Sequence, residues 1–257
     1  MFIRRENAQA REPAVSDFRK QILDSNGETL PIPLAAIVRL TSIFQAIAVL
    51  TCAAALAAST PSVHSLADAV DTHYNHIRTL QAEFTEIYQG EGMSRTESGT
   101  LWLKKPGKMR WEYRSPRAKL FVSDGKEAWF YVPGERQVQR TAVKKLDDLR
   151  SPLAFLLGKT KLEKELTGLS LAPDVTPLIA GDTVLRGVPK AMADRVSQVL
   201  LEITPGNQIS RIVLEEGSGS TTEYRITDQK EDVKVSDQRF EFVVPDGVEV
   251  IEQTFGQ

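Results

Sequence analysis

The apolar positions between Ser65 and Leu80 recur with the period of an α-helix. Four apolar side chains, spaced by four, four and three residues, share one face of this segment: Leu66, Val70, Tyr74 and Ile77. Ser65, followed three residues later by Asp68, is typical of a helix start. The pattern predicts an amphipathic helix over 65–80 that turns its apolar stripe towards the rest of the protein.

After Leu80 the period of the pattern changes to two. Trp111 and Tyr113 alternate with three charged residues over 110–114, and the same arrangement returns at 223–227 and 240–242. Such alternation predicts antiparallel strands with one buried face. Turn signals separate the strands of three predicted hairpins, at 123–126, 205–207 and 217–220. The weakly patterned stretch 173–189 is predicted as a loop followed by a strand.

A second run with helical spacing interrupts the strands between Val143 and Leu157. Pro152 removes a backbone hydrogen bond in its middle, so we expect two short helical pieces. The second piece, 152–157, is apolar almost all round and must be covered or cap an apolar cavity. The fold class predicted is therefore α+β and mainly antiparallel β, as an unclosed barrel or curved sheet with helices on its concave side.

The N-terminal part does not have the pattern of a folded domain. Residues 34–58 are apolar apart from Arg39 and a few small polar residues, and 55–57 has the small-x-small pattern of a signal-peptidase site. We predict an N-terminal extension plus signal peptide over 1–57 and one domain over 58–257. An uncleaved membrane anchor is the alternative. Cys52 would leave with the signal, or, if 49–52 acts as a lipobox, would carry a lipid.

Composition and motifs restrict the chemistry. Hydrophobic residues make up 41% and charged residues 26%, with a net charge of −2, so nucleic acid is not an expected partner. Motifs of nucleophilic, phosphate-binding and metal-dependent enzymes are missing from the sequence. His73 and His76 could share a metal, but a plain helix face is the favoured interpretation because no cysteine or carboxylate cluster completes a site. We expect no enzyme activity, no cofactor and no metal.

The aromatic residues are concentrated in the middle of the chain. Trp102, Trp111 and Trp129 fall within 28 positions, and four more aromatic residues join them: Tyr113, Phe121, Phe130 and Tyr131. Composition alone favours a sheet core over a ligand pocket. The run 129–131 needs cover on both faces of its strand, however, because neighbouring strand residues point opposite ways. A sheet curved around an apolar cavity would provide that cover.

These residues also carry a family resemblance. The stretches GTLWLKKPGKMRW at 99–111 and LFVSDGKEAWFY at 120–131 closely resemble the signature of the LolA-type periplasmic lipoprotein carriers. The segments 80–86, 151–157 and 240–250 resemble, respectively, the helix-to-strand junction, the lid helix and the closing strand of that family. The resemblance covers most of the chain after about Ser62.

The resemblance implies an unclosed barrel with a helical lid over an apolar cavity that receives acyl chains. One long chain represents roughly 10 kcal/mol of burial, at about 0.8 kcal/mol per CH₂. A cavity with few polar anchors recovers this energy and still allows release. Carried over by position, the implied cavity set is Leu66, Val70, Tyr74, Ile77, Trp102, Met109 at the mouth, Trp111, Val122, Trp129 and, on the lid, Leu153, Phe155 and Leu156.

One position departs from the family pattern. The arginine that in the family precedes a proline and holds the lid shut is Lys105 here, followed by Pro106. Lysine can still donate to carbonyl groups but lacks the planar fork of arginine. The resemblance implies a lid latch at Lys105 in altered form, and a solvated turn lysine is the alternative.

The partners follow from the same resemblance. They are acylated lipoproteins, an ATP-driven releasing transporter of the inner membrane and a lipoprotein receptor of the outer membrane, with the protein itself a periplasmic monomer. Three other functions stay open: a lipidated acceptor of similar fold at the outer membrane, a periplasmic protein that binds or hydrolyses other lipids, and an interaction domain with a solid core.

Overall fold

The computed structural model describes residues 62–143 and 161–252. The predictions made for 1–57, including the signal peptide and Cys52, lie outside these residues, and so does most of the broken helix, with the lid positions Leu153, Phe155 and Leu156. Within the described residues, no helix has the length and apolar character needed to cross a membrane.

The predicted first helix is present with shifted ends. Helix α1 covers Val63–His76, and its N-cap is Ser62, whose side-chain oxygen accepts the backbone N–H of Ser65 at 3.1 Å. A cap three residues earlier than expected moves the whole helix back. Ile77 already has extended backbone, which ends the helix and directs the chain into the sheet. A one-turn helix α2, Leu162–Glu165, follows later in the chain.

In the part of the chain that the structure describes, twelve strands form one unclosed, curved sheet, which confirms the predicted fold class. Its order across the sheet is β12-β6-β5-β4-β3-β2-β1-β11-β10-β9-β8-β7. The strands are β1 Thr79–Gly90, β2 Met93–Lys104, β3 Lys108–Ser115, β4 Lys119–Asp124, β5 Glu127–Tyr131, β6 Gln137–Ala142, β7 Leu166–Leu171, β8 Thr183–Pro189, β9 Val196–Ile203, β10 Ile209–Glu216, β11 Thr221–Glu231 and β12 Glu249–Glu252.

The three predicted hairpins are confirmed. The turn between β4 and β5 is held by Asp124, whose side chain accepts the backbone N–H groups of Lys126 and Glu127 at 2.7 and 2.8 Å. Asn207 takes a positive φ of 64° in the turn between β9 and β10. The strand predicted within 173–189 is β8.

The strand predicted at 240–242 is wrong. Asp237–Phe240 forms a 3₁₀ turn, capped by the side chain of Ser236, and Phe240 is buried. Phe240 is held in this turn and the ring of Phe242 stacks on Trp129, so the two aromatic residues alternate without forming a strand. The last strand comes later, as β12, and it runs parallel to β6 at the edge of the sheet.

The two faces of the sheet differ in what covers them. The main core lies between α1 and one face, which we call the concave face. Its side chains include Leu101 of β2, Leu201 of β9 and Ile212 of β10, all inaccessible to solvent. A smaller apolar cluster of Ala172, Val184, Leu200 and Val213 lies on the opposite, convex face. The candidate site lies on the concave face, next to this core.

Candidate functional site

The apolar stripe of α1 packs against the concave face along its whole length. All four predicted side chains are buried, at 7%, 2%, 1% and 6% exposure: Leu66, Val70, Tyr74 and Ile77. The first three belong to the helix, and Ile77 is the residue at which the helix ends. This part of the concave face is therefore closed by α1.

Met109 and Trp111 share this face with the helix. Met109 stands opposite Leu103 and Trp111 opposite Leu101 across the β2–β3 pair. Both side chains are buried, at 7% and 2% exposure. The structure therefore brings these two predicted cavity residues together with the α1 stripe.

Next to Trp111 an aromatic cluster extends along the concave face. The ring of Phe84 meets the ring of Trp111 edge-on, with 4.6 Å between centroids, and that of Tyr113 at 4.9 Å. Tyr224 of β11 lies 5.9 Å from Trp111 on the other side. Aromatic edge-to-face pairs fix ring orientation beyond simple burial. Tyr113, Tyr224 and the neighbouring Phe121 pack against the core but stay partly exposed.

Charged side chains border the aromatic cluster on the same face. We call Glu86, Arg95, Glu97 and Lys119 the polar layer. Lys119 lies 4.3 Å above the ring of Tyr113, and its ammonium group is 2.5 Å from a carboxylate oxygen of Glu97. The hydroxyl of Tyr113 donates to Glu86 at 2.7 Å. Burial, with Glu86 as a second cause, raises the pKa of the Tyr113 hydroxyl, which stays a donor.

Three predicted cavity residues lie on the convex face instead. The strand register places Trp102 opposite Arg110, Arg110 opposite Val122, and Val122 opposite Trp129. Residues paired in this way point to one face, and their sequence neighbours on the strands point to the other. Trp102, Val122 and Trp129 therefore do not share a surface with Met109 and Trp111, and they are not part of the candidate site.

The segment before β12 covers these convex residues. The guanidinium of Arg239 lies 4.4 Å from the ring centroid of Trp102, and the ring of Phe242 stacks on Trp129 at 5.3 Å. Asp237 pairs with Lys104 and Lys108 at 2.8 and 3.0 Å. The run 129–131 needs cover on both faces of its strand. On the convex face this cover comes from the segment before β12.

Lys105 contacts helix α1. Its ammonium group donates to the backbone carbonyl of Tyr74, in the last turn of the helix. Burial lowers the pKa of Lys105, and the nearby carboxylate of Asp232 opposes that shift. This contact joins the β2–β3 turn to the end of α1, where a cation is also favoured by the helix dipole.

The histidines do not converge on one site. His73 lies 2.9 Å from Glu231, whereas the Nδ1 atom of His76 lies 2.7 Å from the carbonyl of Thr72 in its own helix. Over 62–143 and 161–252, no group of three histidine, cysteine or acidic residues is placed to hold a metal ion.

Comparison with known proteins identifies the family. The model of the family described as outer membrane lipoprotein carrier protein LolA matches residues 75–243. The chain belongs to the LolA family.

Among LolA relatives, the outer-membrane lipoprotein carrier protein of Alkalilimnicola ehrlichii is 31% identical over 188 residues, or 72% of this chain and 83% of that protein. The carrier protein of Chromobacterium violaceum is 30% identical over 203 residues, covering 77% of this chain and 94% of its own. That of Nitrosospira multiformis is 29% identical over 180 residues, 68% and 83% of the two chains.

The sequence prediction for this LolA-family chain missed Phe84, Tyr113, Phe121 and Tyr224 as members of the site. A signal for Phe84 was present, since Leu80, Ala82 and Phe84 alternate along β1 and are all buried. Tyr113 alternates with Trp111 in the same way on β3. Phe121 and Tyr224 follow only from the register, which brings Phe121 opposite Trp111 and Tyr224 opposite Glu86.

Proposed function

We propose that the protein is a periplasmic carrier that holds the acyl chains of lipoproteins on its concave face between the inner and the outer membrane. The observation that carries this proposal is an apolar surface that continues the core without being closed by it. Tyr113, Phe121 and Tyr224 pack on fully buried residues but remain partly exposed. The relatives named above are lipoprotein carriers and match most of the chain.

The energetics of this surface suit reversible transport. Each methylene taken out of water contributes about 0.8 kcal/mol, so an aromatic and aliphatic face can hold an acyl chain without polar anchors. Met109 belongs to the buried core beside this face, and its flexible, polarizable side chain lets that core adapt to cargo of different shape. The chemistry required is burial and release, and no bond is made or broken in it.

The lid belongs to the proposal as well. We assign Leu153, Phe155 and Leu156 to a cover over the cargo and Lys105 to its latch. The contact of Lys105 with the Tyr74 carbonyl supports a role at the junction of α1 and the β2–β3 turn. Replacing Lys105 by alanine is expected to change retention or release of lipoprotein. Lys108→Ala is the matched control, because Lys108 pairs with Asp237 under the convex face.

The partners proposed are an ATP-driven transporter that releases lipoproteins from the inner membrane and a receptor that accepts them at the outer membrane. The test is a release assay: inner-membrane vesicles that contain a labelled lipoprotein and the active transporter are incubated with the purified protein. We expect a soluble one-to-one complex with the wild type and little with Met109→Glu. Folded protein that yields no complex beside an active transporter would refute the carrier function.

A further inference from the structure

The polar layer is unusual in where its charges lie. Glu97 is 5% exposed and Lys119 is 18% exposed, although both side chains point to the face that carries the aromatic cluster. Arg95 adds a second cation 3.2 Å from Glu97, and Glu86 stands directly opposite Glu97 across the β1–β2 pair. Two carboxylates and two cations therefore end the apolar part of the concave face.

Buried ion pairs of this kind are poor stabilisers. Removing both charges from water costs about as much as their attraction returns, so an apolar pair of similar volume often serves stability equally well. The convex face offers a comparison nearby in the same sheet. There Arg114 of β3 binds Glu83 of β1 in a largely exposed pair that already connects these strands. This sheet therefore also joins strands with an exposed ion pair, whereas the pair of Glu97 on β2 and Lys119 on β4 is largely buried.

The layer has a direct consequence for an apolar guest. An acyl chain that lies over Phe121, Tyr224 and Tyr113, the partly exposed rings of the cluster, gains from each methylene placed against them. Beyond Tyr113 the next surface is the ammonium group of Lys119 and the carboxylates of Glu86 and Glu97. A methylene pushed against these groups removes the water that is left around them, and this desolvation cancels the gain.

We propose that the polar layer sets the length of the acyl chain that the concave face accepts, with Glu97 and Lys119 as the specificity-determining pair. The inference rests on the proposed carrier function and adds a limit on its substrate. Affinity rises with chain length while methylenes meet the aromatic cluster and stops rising when the terminal methyl reaches the layer. The ligand class is saturated acyl chains attached to a short peptide.

The experiment measures binding of a series of N-acylated peptides, from lauroyl through myristoyl, palmitoyl and stearoyl to arachidoyl, by isothermal titration. Wild type is expected to gain about fourfold in affinity per added methylene at the short end of the series and to level off within it. Glu97→Gln combined with Lys119→Met keeps size and net charge and removes the buried pair. This variant is expected to go on gaining about fourfold per methylene beyond the wild-type limit.

The matched control is Glu83→Gln combined with Arg114→Met, which removes a nearby pair on the convex face. It is expected to level off where the wild type does. If the Glu97 and Lys119 variant no longer binds the lauroyl peptide, the series is repeated with Glu86→Gln combined with Tyr113→Phe. This second layer variant removes the hydrogen bond between Tyr113 and Glu86 and the charge of Glu86 on β1.

The outcomes separate the two proposals. The same limit in wild type and in layer variants that bind the lauroyl peptide, or no limit in wild type, overturns the length inference and leaves the carrier function standing. Failure of the wild type to bind any acylated peptide overturns the carrier function and the length inference with it.

Discussion

The hydroxyl of Tyr74 accepts the backbone N–H of Ile209 at 2.9 Å. Both residues are almost inaccessible to solvent, at 1% and 0% exposure. Gln229 closes the arrangement, since its side-chain nitrogen donates to the Ile209 carbonyl at 2.9 Å and its oxygen lies 3.4 Å from the Tyr74 hydroxyl. Helix α1 is thus fixed to β10 and β11 by hydrogen bonds as well as by its apolar stripe. The helix therefore keeps a fixed position on the concave face.

Replacement of Tyr74 by phenylalanine tests this attachment. The variant leaves the buried N–H of Ile209 without an acceptor, so the free energy of unfolding is expected to fall by about 1–3 kcal/mol. Urea denaturation followed by circular dichroism measures the change. Tyr88→Phe is the control, because that hydroxyl makes one long bond of 3.4 Å, to Ser220. Equal losses in the two variants would contradict the assignment.

Gly99 makes room for the aromatic cluster. A Cβ atom at this position would lie 1.9 Å from the carbonyl oxygen of Glu112 and 2.9 Å from the ring of Phe84. Gly99→Ala must therefore shift the β2–β3 pair, and we expect a loss of about 1–3 kcal/mol in unfolding free energy. Gly217→Ala, whose nearest neighbour would be 3.9 Å away, is expected to stay near wild type. A tolerated Gly99→Ala would show that the ring and the strand are less closely fitted than described.

The contribution of Asp71 to stability is expected to increase as the pH falls. Both of its carboxylate oxygens lie 3.1 Å from the backbone N–H of Leu162, and burial raises its pKa despite this hydrogen bond. Because the folded protein binds the proton more tightly than the unfolded chain, ionised Asp71 costs stability above its folded pKa. That cost disappears as the pH falls to the unfolded pKa. The free energy of unfolding of wild type is therefore expected to rise relative to that of Asp71→Asn on acidification.

Asp237 provides the opposite case for the same measurement. Its hydrogen bonds with Lys104 and Lys108 lower its pKa, so the stabilisation is present above the unfolded pKa and is lost as the pH falls through the folded pKa. Urea denaturation across the acidic range is therefore expected to show wild type losing its advantage over Asp237→Asn. Trends of the same sign for both aspartates would contradict the account of Asp71.

The sequence predicted the elements that depend on the local spacing of apolar and turn residues. The α1 stripe is explicit in the spacing of Leu66, Val70 and Tyr74, and the hairpin turns follow from their turn residues. The helix start was misplaced because Ser62 and Ser65 are both good cap residues, and only Ser62 has its side chain in position to accept a helix N–H. Phe240 and Phe242 imitate a strand because two rings pack from an irregular segment.

The division of the tryptophans between two faces could not be read from the sequence. Period two shows that Leu101 and Trp102 point to opposite sides, but not which side meets α1. That choice depends on the packing of residues distant in the chain into one core, to which both Leu66 and Leu201 belong. The register then carries the choice from Leu101 to Trp111 and on to Phe121. Long-range packing therefore decided which aromatic residues belong to the candidate site.

The most direct test of the carrier account uses one strand and its two faces. Phe121 and Leu120 are neighbours on β4, both partly exposed, and they point to the concave and the convex face, respectively. A photoreactive benzoylphenylalanine is placed at each position in turn, and the protein is loaded with acyl-labelled lipoprotein and irradiated. The account predicts an acyl cross-link from position 121 and little from position 120. Equal cross-linking from both positions, or cross-linking from position 120 alone, would contradict it.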